Sequence, residues 1–264
     1  MKYIKKEKMT VGRGRHPPIM NYAVYCFTKK ELVSYIIIES AFIGIIAYLF
    51  YDSVFAFFLL IPFVAVMIKR KKEQLCQKRK QKLESEFRDA ILSVSSNLQT
   101  GYSLENAFQE AYQEIVLLHG THALMASELR LLLRKLANNE QLEDVLLNLA
   151  VRSEVDDIKD FADIFQIAKR GGGNMQAIIA NTAEMIGDKH GVRLEIDTIM
   201  SEKKLEQTIM RYIPFFIIFY ISITSKGYFE GLYHNVLGQA IMTAALIVYG
   251  ISCRLFDRIL DIEV

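Results

Sequence analysis

From Leu32 to Ile68 the chain reads LVSYIIIESAFIGIIAYLFYDSVFAFFLLIPFVAVMI, and Lys69-Arg70-Lys71-Lys72 follows at once. Only Glu39 and Asp52 carry charge in that run. As one helix it would measure about 55 Å at ~1.5 Å per residue, whereas the hydrocarbon core of a bilayer is about 30 Å thick. Two membrane spans joined by a tight turn at Tyr51-Asp52-Ser53 fit better. Lys29-Lys30 precedes the run, and Lys78-Arg79-Lys80 and Lys82 reinforce the basic stretch behind it. Basic residues stay on the cytoplasmic side, so both ends of this first hairpin are expected in the cytoplasm.

Working outward, a second apolar pair lies toward the other end. Arg211 and Lys226 bracket an uncharged stretch through Pro214 that reaches span length when extended back over Thr208 and Ile209. Gly231 to Cys253 is also free of charge. Lys226, Glu230 and His234 suit an external loop, and Arg254 and Arg258 return the chain to the cytoplasm. Tyr35, Tyr51, Tyr212, Tyr228 and Tyr233 fall near the span ends, the interfacial role that Trp would otherwise take.

The expected organisation is a basic cytoplasmic tail over residues 1–31, a transmembrane hairpin over 32–68 and a cytoplasmic helical domain over 69–208. A second hairpin over 209–253 and a short cytoplasmic tail over 254–264 complete it. The long basic leader, with a second span following at once, reads as an uncleaved anchor rather than a signal peptide. Gly12 to Pro18 reads as a mobile cytoplasmic tail, with plain solvation the preferred reading and contact with anionic lipid headgroups the rival one.

Composition agrees. Of 264 residues 52% are apolar and 23% charged, which excludes a disordered chain. The net charge of +2 offers no basic field for nucleic acid. Cys26, Cys76 and Cys253 lie far apart without CxxC spacing, so neither a disulfide framework nor a zinc site is expected.

The middle is helical in pattern and free of proline. Leu83, Phe87, Ala90, Ile91, Val94 and Leu98 trace one helical face. Gly101 ends that helix and Ser103 caps the next, whose stripe is Leu104, Ala107, Phe108, Ala111 and Ile115. Further helices are expected over about 122–137, at Leu142–Leu149, at Ile158–Ala168 and from Met175. After Gly191 a long charged helix is expected to run into the third span. The fold class is therefore all-α: four transmembrane helices in two hairpins, flanking an antiparallel bundle of about six helices.

Few groupings point to chemistry. The run Lys169-Arg170-Gly171-Gly172-Gly173-Asn174 lacks the Lys-Ser/Thr of a phosphate-binding loop and no strand precedes it, so it reads as a turn. His119 and His122 have HxxH spacing without a carboxylate at a ligand interval, and read as a surface pair. The basic run 69–82 sits directly inside a span, so topology and lipid contact explain it better than nucleic acid. Glu39 stands apart: an ionisable side chain within a span costs about 2.5–3.5 kcal/mol on insertion scales. An assembly contact is the preferred reading and a role in ion movement the rival one. No catalytic, cofactor or metal site is expected.

The cytoplasmic segment resembles the F-type domain of type II secretion and type IV pilus machines, above all the TadB/TadC-type proteins of Tad (Flp) pilus assembly. The residues that carry the resemblance are Phe87-Arg88-Asp89-Ala90 through Leu98 and Thr100-Gly101-Tyr102-Ser103-Leu104-Glu105-Asn106-Ala107-Phe108. Leu149 to Arg152, Asp156 and Asp157, Phe161, the Gly171–Asn174 turn and Arg193-Leu194-Glu195 leading to Pro214 continue it. The resemblance implies a platform in the bacterial cytoplasmic membrane, multi-pass, with both termini cytoplasmic and no enzymatic activity. Its implied partners are an assembly ATPase, pilin or pseudopilin subunits, a second platform protein or further copies of itself, and membrane lipids. Gly101, Ser103, Leu104, Glu105, Arg152, Asp156, Gly171, Gly172, Gly173, Asn174 and Pro214 are the candidate contact or motif residues. The competing readings are a small transporter or channel subunit using Glu39, and a membrane-anchored signalling protein whose bundle binds a soluble regulator.

Overall fold

The structure is a computed structural model that describes residues 20–23, 27–51, 54–171, 174–225, 227–228, 230–233 and 235–260. Helices account for almost all of them: α1 Lys29–Tyr51, α2 Val54–Gln99, α3 Leu104–His119, α4 Leu124–Ala137, α5 Leu142–Ser153, α6 Asp156–Gly171, α7 Met175–Thr224, the single turn α8 Glu230–Tyr233, and α9 Val236–Leu260. No strand occurs among the described residues.

Two helices dominate. α2 has 46 residues and α7 has 50, about 70–75 Å each at ~1.5 Å per residue. Each has one end in the apolar belt and the other in the bundle. α7 corrects the expected interruption: Gly187 and Gly191 lie within the helix, so no separate helix begins after Gly191.

One continuous core unites the second half of α2, helices α3 to α6 and the first turns of α7. Leu83, Phe87, Ile91, Phe108, Ile115, Leu129, Leu146, Ile158, Phe161 and Ile179 are all essentially inaccessible. Phe87 meets Phe161 edge-on at 5.6 Å, tying α2 to α6. Burying such a side chain contributes roughly 1.5–3 kcal/mol, and these stripes hold the bundle together. The turns follow from local chemistry. Gly101 takes φ +93°, a left-handed conformation that glycine reaches without strain, and Ser103 Oγ accepts the Asn106 N–H at the start of α3.

Successive helices run alternately away from the membrane and back. Lys169 at the end of α6 reaches Gln141 and Glu143 at the start of α5, at the distal end. Lys80, nearer the membrane on α2, pairs with Glu154 beyond α5 at 2.9 Å. The turns at 100–103 and 138–141 therefore share the membrane-distal end with Gly171 and Asn174, and those at 120–123 and 154–155 lie at the membrane-facing end.

Three described helices are long and apolar enough to cross a membrane, not the four expected: α1, the second half of α7, and α9. α1 and the start of α2 do form an antiparallel pair, with Lys71 over the Tyr35 ring and Gly44 facing Phe57. The returning arm, however, is free of charge only from Val54 to Ile68, about 22 Å, before Lys69 begins the basic run. That is fewer than the roughly 20 apolar residues of an ordinary span, so this arm does not count among the three even though it runs back beside α1 to the bundle. The expected turn residues Asp52 and Ser53 lie outside the described residues. In the belt Phe215 is the hub: Phe42 and Phe50 of α1 and Tyr249 of α9 surround its ring at 6.0, 6.1 and 5.4 Å.

Only part of the leader is described. Gly12 to Pro18, expected to be a mobile tail, lie outside the described residues. Met20 to Ala23, within the same expected tail, lie against the bundle, with Tyr22 only 1% exposed in its core.

Candidate functional site

The region that joins bundle to membrane is built where α2, α6 and α7 meet. Arg193 on α7 donates to Glu84 on α2 at 2.6 Å, and Lys189, one turn earlier, donates to Asp157 on α6 at 2.5 Å. Asp157 is buried, so its partner matters. Burial pushes the Glu84 carboxyl above the usual carboxylate range and Asp157 adds to it, while Arg193 opposes the shift. The Lys189 ammonium is held above its ordinary value by its hydrogen bond to Asp157. His190 is pushed down by burial and by the nearby Arg88 and Arg193 guanidinium groups. On the neighbouring turn of α2, Asp89 accepts from Arg88 and meets His119 Nε2 at 2.8 Å. His119 thus belongs to a carboxylate contact that the HxxH spacing did not disclose.

This clamp fixes the height of the two long helices. Because α2 and α7 are antiparallel and Glu84 faces Arg193, equal steps toward the membrane bring Lys69 opposite Thr208. Both helices therefore meet the bilayer edge at one level.

Across the edge, Arg211 of α7 and Gln207 one turn above it both donate to the Asp257 carboxylate of α9. Pro214 supplies no N–H, which deprives the preceding turn of α7 of a helical hydrogen bond. The Tyr249 hydroxyl donates to the Arg211 carbonyl at 2.6 Å and satisfies part of that turn from outside the helix. α7 accordingly remains helical through Pro214 to Thr224.

At the membrane-facing end of the bundle the buried carboxylate of Glu128 receives a two-pronged contact from Arg152, at 2.7 and 3.0 Å. The Tyr22 hydroxyl donates to the same carboxylate at 2.9 Å, and the Tyr22 N–H donates to the Arg152 carbonyl at 3.0 Å. Arg152 also donates to the Met20 carbonyl at 2.9 Å. Burial and the Glu128 charge push the Tyr22 phenol well above its ordinary range.

The residues singled out from the sequence separate into three places. Gly101, Ser103, Leu104 and Glu105 lie at the distal end with Gly171 and Asn174. Ser103 caps α3, and Asn174 caps α7 by accepting the Ala177 N–H at 3.2 Å. Leu104 packs on the core and Glu105 is exposed. Gly172 and Gly173 lie outside the described residues. Arg152 and Asp156 are at the opposite end: Arg152 is engaged with Glu128 and Met20, whereas Asp156 is exposed at the start of α6. Pro214 and Glu39 lie in the membrane belt, where Glu39 is half-buried on α1.

Three side chains that organise the bundle escaped the sequence reading: Glu86, Glu128 and Tyr22. Glu86 is 1% exposed, and its Oε2 accepts the Met125 N–H at 2.8 Å, capping α4 from a different helix. Glu86 and Glu128 each sit within an apolar stripe at helical spacing, three residues after Leu83 and Met125 respectively. A carboxylate inside such a stripe was the available signal.

Among the described residues no group of His, Cys, Asp and Glu could hold a metal ion. What the fold defines is a helical membrane protein with a bundle outside the bilayer, rooted in it by two of the bundle's own helices. The family model for Type II secretion system (T2SS), protein F, matches residues 90–223, just over half of the chain, and the chain belongs to that family. Neither the curated proteins nor the solved structures contain a match to it. Family and membrane-crossing helices together make it an inner-membrane protein of the secretion- and pilus-platform type.

Proposed function

We propose that this chain is the cytoplasmic-membrane platform of a Tad/Flp-type pilus or type II secretion-like assembly machine, coupling a cytoplasmic ATPase to the insertion or extraction of pilin subunits. The observation that carries the reading is α7, which runs as one helix from Asn174 at the distal end of the bundle to Thr224 in the membrane. The bundle is the cytoplasmic part, and both described chain ends lie on its side of the bilayer: Tyr22 packs into the bundle and Asp257 stands at the level of Arg211.

The platform is not an enzyme and uses no cofactor, so energy arrives from the ATPase at the distal end, where Tyr102, Glu105, Gly171 and Asn174 lie. Displacement of that end travels down α7 to the belt around Phe215, where pilin is handled. A second platform protein or a further copy of this chain completes the machine.

The test is to insert four glycines after Glu202, in the exposed stretch of α7 between clamp and membrane. The variant should enter the membrane at wild-type level and fail to assemble fibres or secrete. Normal fibres from it would overturn the reading.

A further inference from the structure

Between α7 and α9, at the bundle-side edge of the belt, lies a cavity of about 160 Å³ walled by Met210, Arg211 and Pro214 on one side and by Tyr249, Cys253 and Phe256 on the other. Gln207 and Ser252 complete the lining, whose surface is mostly apolar. It is smaller than the roughly 300 Å³ of an ordinary small-molecule pocket. It therefore takes only part of a ligand, and at this height the remainder would extend into the bilayer.

The charge around it has one sign in excess. Arg211 is paired with Asp257, but Arg254 and Arg258 on the same two turns of α9 form no ion pair among the described residues. Arg211 Nε is shielded from water and has no acceptor among the described residues. A donor left so is unfavourable, and an incoming anionic oxygen would relieve it. An apolar slot, a guanidinium with an unused donor and flanking arginines at the cytoplasmic edge of a membrane match one chemistry, a lipid with an anionic headgroup.

We propose that this cavity is a binding site for an anionic phospholipid, whose phosphate is held by Arg211 with Arg254 and Arg258 adding long-range attraction, and whose acyl chain runs past Pro214 and Tyr249 into the bilayer. The lipid would bridge α7 and α9 at the turn that Pro214 loosens, and so set how firmly the long helix is held as it enters the bilayer. The proposal rests on α7 and α9 being membrane spans and not on the platform's role in fibre assembly.

The full-length chain, purified in mild detergent and stripped of lipid, is titrated with dihexanoyl phosphatidylglycerol, with dihexanoyl phosphatidylcholine and with inorganic phosphate, and bound lipid is counted by native mass spectrometry. One phosphatidylglycerol should bind at saturation, at least tenfold more tightly than phosphatidylcholine, and inorganic phosphate should not displace it. The double substitution R211Q/D257N removes the guanidinium without leaving its carboxylate unpaired, and should weaken phosphatidylglycerol at least tenfold. S252F adds bulk to the lining while retaining Arg211, and should do the same. If the double variant does not fold, S252F decides alone. Wild-type affinity in the folded variants overturns the site, equal binding of both lipids overturns the headgroup assignment, and displacement by phosphate assigns Arg211 to a free anion. Because lipid binding is the readout, failure here leaves the proposed platform function untouched, and a failure of fibre assembly in the glycine-insertion variant leaves this site untouched.

Discussion

Arg193 on α7 and Glu84 on α2 are joined at 2.6 Å toward the membrane-facing end of the bundle. Both side chains are partly shielded, 31% and 15% exposed, so the contact lies between a surface pair and a buried one. Replacing Arg193 by Ala should destabilise the bundle by about 1–2 kcal/mol, read as a lowered melting temperature in detergent. An unchanged melting temperature would remove the clamp from the list of stabilising contacts.

The same carboxyl sets a pH dependence. Burial raises the Glu84 pKa in the folded chain, so the folded state holds the proton more tightly than the unfolded one. Its contribution is present below the ordinary Glu value of about 4.3 and is lost as pH rises through the raised value. E84Q keeps an acceptor for Arg193 and does not titrate. Measured from pH 4 upward, its stability relative to wild type should therefore increase. A difference that stays flat over that range would show that Glu84 titrates alike folded and unfolded.

Glu143 works in the opposite direction. Its hydrogen bond to Lys169 holds its carboxyl below the usual range, so its contribution is present above about pH 4.3 and is lost on acidification through the lowered value. In K169A the loss of stability relative to wild type should be present near neutrality and shrink below pH 4. A deficit of constant size would count against the pairing.

Tyr22 should be separable into two parts. Y22F deletes the hydrogen bond to Glu128 and should cost about 1.5–3 kcal/mol, as expected for a charged partner. Y22A also empties a core position and should cost about 3–5 kcal/mol. Equal melting temperatures for wild type and both variants would mean that the segment does not dock on the bundle in solution.

The two distal turns distinguish backbone need from partner contact. Gly101, at φ +93°, should lose about 1 kcal/mol on substitution by Ala. A Cβ at Gly171 meets nothing within 4 Å, so G171A should keep its melting temperature. If G171A folds normally and yet blocks assembly, the turn serves a partner; if assembly is normal, the turn is only a turn.

The apolar stripes were legible because helical spacing is written in neighbouring residues: Leu83 through Leu98 and Leu104 through Ile115 appear in the core where the pattern put them. The caps Ser103 and Asn174 and the left-handed Gly101 are local in the same sense, though only Ser103 and Gly101 were given their roles in advance. What escaped is long-range. Tyr22 and Glu128 are 106 residues apart, and Glu84 and Arg193 are 109 apart. No period in a sequence announces such partners. The continuity of α7 was obscured by Gly187 and Gly191, whose helical cost of about 1 kcal/mol each is small beside a helix of 50 residues packed at both ends. The span count failed on length, since the returning arm of the hairpin meets Lys69 too early.

The seat of Tyr22 has a mechanical corollary. Six residues separate it from Lys29, where α1 begins, and six residues reach about 20 Å even when fully stretched. The base of the bundle is thus moored to the membrane by a third line besides α2 and α7. Two attachments leave a body free to rock about the axis that joins them. A third, limited by the contour of the residues between Tyr22 and Lys29, bounds how far the base of the bundle can lift away from the start of α1.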